Sequence, residues 1–225
     1  MEHPPANHQY LTEENLATFE REGIAITRKK FSQLTRGQKL AQVISLVLAP
    51  NVVCPFVFIW FSITYHTTPF WLWTLGAIYF YGLHPLVLLI IFILTKRGDI
   101  YLTDRRQRFW PMVSAILGYI IFLSFIWVSF GWGNLLTRII SGSTLLSVGM
   151  LVVSLRWKIS IHATGNSVGI MGLAVLNPMT MWVTLPLHAL VIWVRRKVKA
   201  HTVTQLLVGT ALGIGIPLSI FYVIP

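Results

Sequence analysis

Seven apolar runs, separated by short charged loops, constrain this 225-residue chain more than any other feature. A hydrocarbon core of about 30 Å takes roughly 20 apolar residues as a helix, and in lipid only helices or closed barrels satisfy their own backbone polar groups. The runs fall at residues 40–64, 70–95, 111–130, 135–155, 162–177, 179–194 and 202–224. They predict an all-α fold: a polytopic integral membrane helical bundle of six or seven transmembrane helices, with seven preferred. The fifth and sixth runs are short and are parted only by "NPMT", where Asn177 and Pro178 break a helix. Read as one kinked element, they lower the count to six. Composition agrees with a membrane chain, since only 11% of residues are charged against about 25% in a soluble domain.

Residues 1–39 read as a polar and basic juxtamembrane segment, and 40–225 as the membrane domain. The start is acidic, with no apolar stretch after a basic opening, so it does not predict a cleaved signal peptide and the first run is expected to stay as an anchor. Residues 20–39 set Ile24, Ile26, Phe31 and Leu34 among basic groups. That pattern suits a helix on an anionic membrane surface or a plain basic linker. Cys54 is the single cysteine, so no disulfide framework is possible.

With seven crossings, one face holds the N-terminal segment and the loops at 96–110, 156–161 and 195–201. That face carries 17 of the 18 Lys and Arg residues, and only Arg138 lies near the other. Basic loops stay on the cytoplasmic side during insertion. The N-terminus and this face are therefore expected in the cytoplasm, with the chain in the plasma (inner) membrane. The assignment needs an odd number of crossings and fails if the fifth and sixth runs are one element. A net charge of +11 then points to anionic lipids or a phosphorylated substrate. Nucleic acid is excluded as a partner because the cations sit beside spans and not on a soluble face.

Three loops of the basic face hold polar groups beyond what topology requires. "DRRQRFWP" brings Arg105 and Arg108, whose planar forks bind phosphate oxygens in pairs. "RWKISIHATG" brings Lys158, Ser160 and His162. A helix starting near Ser160 would favour an anion with its free N–H groups, with Ser160 capping it or donating to the ligand. "RRKVKAHTVTQ" brings Arg195, then His201, then Gln205. His201 and Gln205 stand four apart and share a helix face, so the amide can orient the imidazole. Phosphoryl transfer needs cations around the equatorial oxygens, a nucleophile and an acid for the leaving oxygen. Imidazole, with an unperturbed pKa of about 6.5, suits the last two roles. His66, His84, His188, His3 and His8 have no arginine set beside them and receive no role. Gly165, Gly169 and Gly172, with Gly209 and Gly213, have the small-residue spacing of closely packed membrane helices.

These loops resemble the signature motifs of the type 2 phosphatidic acid phosphatase family, relatives of the vanadium haloperoxidases: K-x6-R-P, P-S-G-H and S-R-x5-H-x3-D. Ser160-Ile161-His162 looks like the S-G-H. Arg195 and His201 keep the R-x5-H spacing. Arg108 looks like the first motif's arginine, with Pro111 displaced by two positions. The chain departs from the pattern at Tyr101, where the family has lysine, at Ile161 for glycine and at Gln205 for aspartate. No Asp or Glu follows Asp104. The resemblance implies a lipid phosphate or isoprenyl diphosphate phosphatase that uses no metal and no cofactor. In it His201 attacks phosphorus and His162 protonates the leaving oxygen. Arg105, Arg108 and Arg195 hold the phosphate with Lys158 nearby, and Ser160 assists. A lipid phosphotransferase of the same family is the alternative, as is a non-enzymatic anionic-lipid-binding or transport protein, which the missing aspartate favours. A channel is disfavoured because the charges sit at span ends and not mid-membrane.

Overall fold

A computed structural model describes residues 35–64, 70–95, 105–198 and 200–223. The basic segment up to residue 34, including Ile24, Ile26, Phe31 and Leu34, lies outside the described residues. So do His3, His8, His66, Lys96, Asp99, Tyr101, Asp104 and Lys199, and the surroundings of Gly172. Among the described residues the chain is helical, with no strand.

Helix α1 is Arg36–Val47 and α2 is Pro50–Thr64, bent by 44° at the break between them. Thr35 and Gln38 start α1 with a reciprocal capping box. Pro50, which has no N–H, ends it. Helix α3 spans Phe70–Leu94 and contains a π turn at Ile78–Leu83, just before Pro85. The wider turn passes the His84 N–H to the Tyr79 carbonyl and accommodates the proline ring. Helix α4 (Phe109–Phe130) follows a 3-10 turn at Arg105–Arg108 and stops at Gly131, whose φ of 75° suits glycine. Helix α5 is Leu135–Arg156, α6 is Ile161–Leu176, α7 is Met181–Lys197 and α8 is Val203–Val223.

Four of these are long and apolar enough to cross a membrane: α3, α4, α5 and α8. The bent pair α1–α2 would make a fifth. Helices α6 and α7, with 16 and 17 residues, fall short of the length of a full span. They are two antiparallel helices, not one kinked rod. His162 at the start of α6 and Arg195 at the end of α7 both reach Ser45 of α1. On one rod they would stand roughly 50 Å apart at 1.5 Å per residue. Asn177 caps the reversal by accepting the Met179 N–H at 3.0 Å. The hairpin therefore leaves and returns at the same end of the bundle.

Apolar side chains are widely exposed along the helix flanks, among them Phe56, Val128 and Trp182, the last 80% exposed. Water would not tolerate such a surface, and hydrocarbon does. One core cluster joins α2, α3, α4 and the start of α5 around Trp73, Phe122 and Ile140. The other lies nearer the basic end, around Met150, Ile159 and Leu146. Helices α6 and α8 cross closely because Gly209 and Gly213 present bare backbone. A Cβ at Gly213 would collide with the Thr164 carbonyl oxygen and lie 2.7 Å from the Ser167 Cβ. His84 and His188 serve as struts: His84 Nε2 donates to the Ser114 carbonyl at 3.1 Å, and His188 Nε2 shares a hydrogen bond of 2.9 Å with Thr210.

Candidate functional site

Four junctions meet at one end of the bundle: the entry to α4, the α5–α6 link, the end of α7 and the start of α8. Each delivers one part of the polar cluster. At the first, Arg108 ends the 3-10 turn, is 3% exposed, and donates from Nη1 to the Ile159 carbonyl at 2.9 Å. That bond ties the arginine to the link carrying Lys158, Ser160 and His162. The side chain of Arg105, one turn earlier, lies outside the described part.

At the second junction Ser160 is fully buried and is the N-cap of α6, its Oγ accepting the Ala163 N–H at 3.3 Å. Of the two roles its position allowed, it performs the cap. His162, in the first turn, is turned towards α1: its ring Nε2 lies 3.2 Å from the Ser45 carbonyl oxygen. A carbonyl only accepts, so this nitrogen carries the proton.

At the third junction Arg195 lies in the last turn of α7, 6% exposed, and donates from Nη1 to the Ser45 Oγ at 2.9 Å. The chain then folds back over the helix end, the Ala200 N–H bonding the Arg195 carbonyl at 3.0 Å. This compact reversal is the physical content of the R-x5-H spacing, since it returns His201 to the neighbourhood of Arg195. Thr202 and Gln205 then start α8 with a second capping box: Thr202 Oγ1 accepts the Gln205 N–H at 3.3 Å, and Gln205 Oε1 accepts the Thr202 N–H at 3.4 Å.

The same Gln205 Oε1 lies 3.0 Å from His201 Nδ1. An amide oxygen only accepts, so Nδ1 holds the ring proton and Nε2 keeps its lone pair. Burial holds the His201 pKa well below its ordinary 6.5, and the charges of Arg195, Arg108 and Lys158 push it the same way, against the Gln205 hydrogen bond. The imidazole is thus neutral at pH 7, in the form a nucleophile requires.

This shift has a measurable consequence. Below pH 6.5 the unfolded chain protonates His201 while the folded chain resists, so folded stability declines as the pH falls through that value. His201→Asn removes this contribution and is expected to lessen the fall in melting temperature between pH 7.5 and pH 5. An identical fall in both proteins would show that His201 does not titrate as described.

The cluster thus unites His201, Gln205, Arg195, Arg108 and Lys158 beside Ser160, while His162 faces α1. Two participants have no prominent sequence signal. Ser45 lies inside an apolar run. Asn166, one turn beyond His162, donates from Nδ2 to the Leu48 carbonyl at 3.0 Å and to the His162 carbonyl at 2.9 Å. The i and i+4 spacing of His162 and Asn166 was the one available hint. Among the described residues no group of three or more His, Cys, Asp or Glu side chains is placed to hold a metal ion. No family model, curated protein or solved structure matches the chain.

Proposed function

We propose that the chain is a membrane-embedded phosphatase acting on a lipid phosphate or isoprenyl diphosphate through a phosphohistidine on His201. The observation that carries this reading is one buried neutral imidazole, its Nδ1–H fixed by Gln205 and its free Nε2 under the influence of three cations. Arg108, Arg195 and Lys158 supply positive charge for a phosphate dianion. The Nε2 lone pair attacks phosphorus in line, the bond to the leaving oxygen breaks, and that oxygen takes a proton from His162 in its imidazolium form, which leaves that ring neutral. Water, deprotonated by His162, then cleaves the P–N bond and releases phosphate. Charge for the transferred group comes from the guanidinium groups, so the proposed reaction uses no metal and no cofactor.

In this reading the α6–α7 hairpin counts as two short crossings, which gives seven with the bent first span. The polar cluster then faces the cytoplasm of a plasma (inner) membrane, with the N-terminus on the same side. Single cysteines at Arg36 and Gly133, in a Cys54-free background, test that orientation with an impermeant thiol reagent in intact cells; labelling at 36 alone would reverse it. The partners are phosphorylated lipid and bilayer lipid. Among the described residues His201 pairs with an amide and not a carboxylate, which favours a second reading, a site that binds anionic lipid without turnover.

Phosphate release from phosphatidic acid, lysophosphatidic acid, phosphatidylglycerophosphate and farnesyl diphosphate, with EDTA present, separates the two. Release from at least one is expected. Folded protein that binds these lipids and releases nothing would establish the binding reading.

A further inference from the structure

The bend between α1 and α2 has an unusual hydrogen-bond pattern. Pro50 has no N–H, the Ala49 N–H bonds the Leu46 carbonyl, and the Val52 N–H bonds the Ala49 carbonyl. The carbonyls of Ser45 and Leu48 therefore lose their usual partners four residues on. Both are satisfied from α6: His162 Nε2 reaches the Ser45 oxygen and Asn166 Nδ2 reaches the Leu48 oxygen. The Ser45 hydroxyl meanwhile accepts from Arg195 Nη1 at 2.9 Å.

One residue of α1 thus engages two of the groups that the phosphatase reading assigns to substrate. Ser45 Oγ takes a guanidinium N–H that a phosphate oxygen would take, and the Ser45 carbonyl holds the His162 proton needed by the leaving group. Helix α1 packs principally against α7. Its outward side, Leu40, Val43, Leu46 and Val47, is apolar and exposed, and its one connection to α2 is the bend. We infer that α1 is an autoinhibitory cover: Ser45 occupies an acceptor position of the anion site, and a phosphate group must displace it to reach Arg195 and release His162. This inference rests on the phosphatase reading, because it concerns the same site. A ligand can shift α1 only by as much as it favours the open arrangement, so each bond to Ser45 weakens apparent phosphate affinity.

Calorimetric titration of the full chain in detergent with inorganic phosphate tests this without requiring turnover. Removing an acceptor from a charged donor is worth about tenfold, so Ser45→Ala is expected to bind phosphate about that much more tightly than wild type. Ser45→Thr, which keeps the hydroxyl, should stay close to wild type. Equal or weaker binding by Ser45→Ala overturns the inference, because the hydroxyl would then be a donor to the anion or no part of the site. Hydrogen exchange on the wild-type protein gives a second reading that needs no variant. Phosphate is expected to speed amide exchange in Arg36–Val47, and unchanged or slower exchange there overturns the cover. If wild type and both variants bind no phosphate, the phosphate-site reading fails and takes the inference with it. Phosphate binding without the Ser45→Ala gain defeats the cover alone.

Discussion

In the proposed phosphatase mechanism, His201→Ala is expected to lower phosphate release by at least about a thousandfold, the scale on which loss of a covalent nucleophile is felt. His201 is buried, its Nδ1–H is held by Gln205, and three cations act on its ring. In the same mechanism His162→Ala would remove a proton donor and not the nucleophile, and is expected to cost about a hundredfold or more. The two substitutions also differ in kind. Rapid denaturation in alkali, where the P–N bond survives, should detect phosphohistidine in the His162→Ala protein and none in the His201→Ala protein. Gln205→Asp provides a further check, since a carboxylate at that position stabilises imidazolium by charge. It should raise the His201 pKa and move the acid limb of the rate profile to higher pH. Turnover that survives His201→Ala would remove the phosphohistidine from the mechanism.

Gly213→Val is expected to disrupt the bundle itself. Its Cβ would meet the Thr164 carbonyl oxygen and the Ser167 Cβ, and backbone cannot rotate away as a side-chain tip can. Overpacking of this kind costs about 1–3 kcal/mol or more, and here it falls on the crossing of α6 and α8. Those helices begin at the caps of Ser160 and Thr202, so parting them separates the two halves of the polar cluster. A melting temperature several degrees lower, with loss of phosphate binding, is the expected result. Gly215→Ala is the control: nothing lies within 4 Å of a Cβ there, and the added methyl favours the helix. If Gly213→Val melts like wild type, the crossing is less tight than described.

The apolar runs determined that the chain is helical and suited to a membrane, because a helix in hydrocarbon must satisfy its backbone locally and show its apolar surface to lipid. Local chemistry was legible in the same way. The break at Asn177, the cap at Ser160 and the pairing of His201 with Gln205 all involve residues no more than four apart, within one turn of helix. The Arg195 to His201 spacing was also readable, since a single turn closes it. The first run became two helices, because Pro50 breaks the ladder. The fifth and sixth runs, short in the sequence, are two short helices that form a hairpin.

Only the tertiary structure decided what His162 and Arg195 touch. Their partner, Ser45, is 117 and 150 residues away along the chain and contributes a carbonyl and a hydroxyl from an apolar run. A carbonyl freed at a proline bend leaves no mark in the sequence beyond the proline, and which donor fills it depends on the helix that packs alongside. The sequence could therefore name the groups that carry charge and protons. The packing of α1 on α6 and α7 decided that two of them are already engaged.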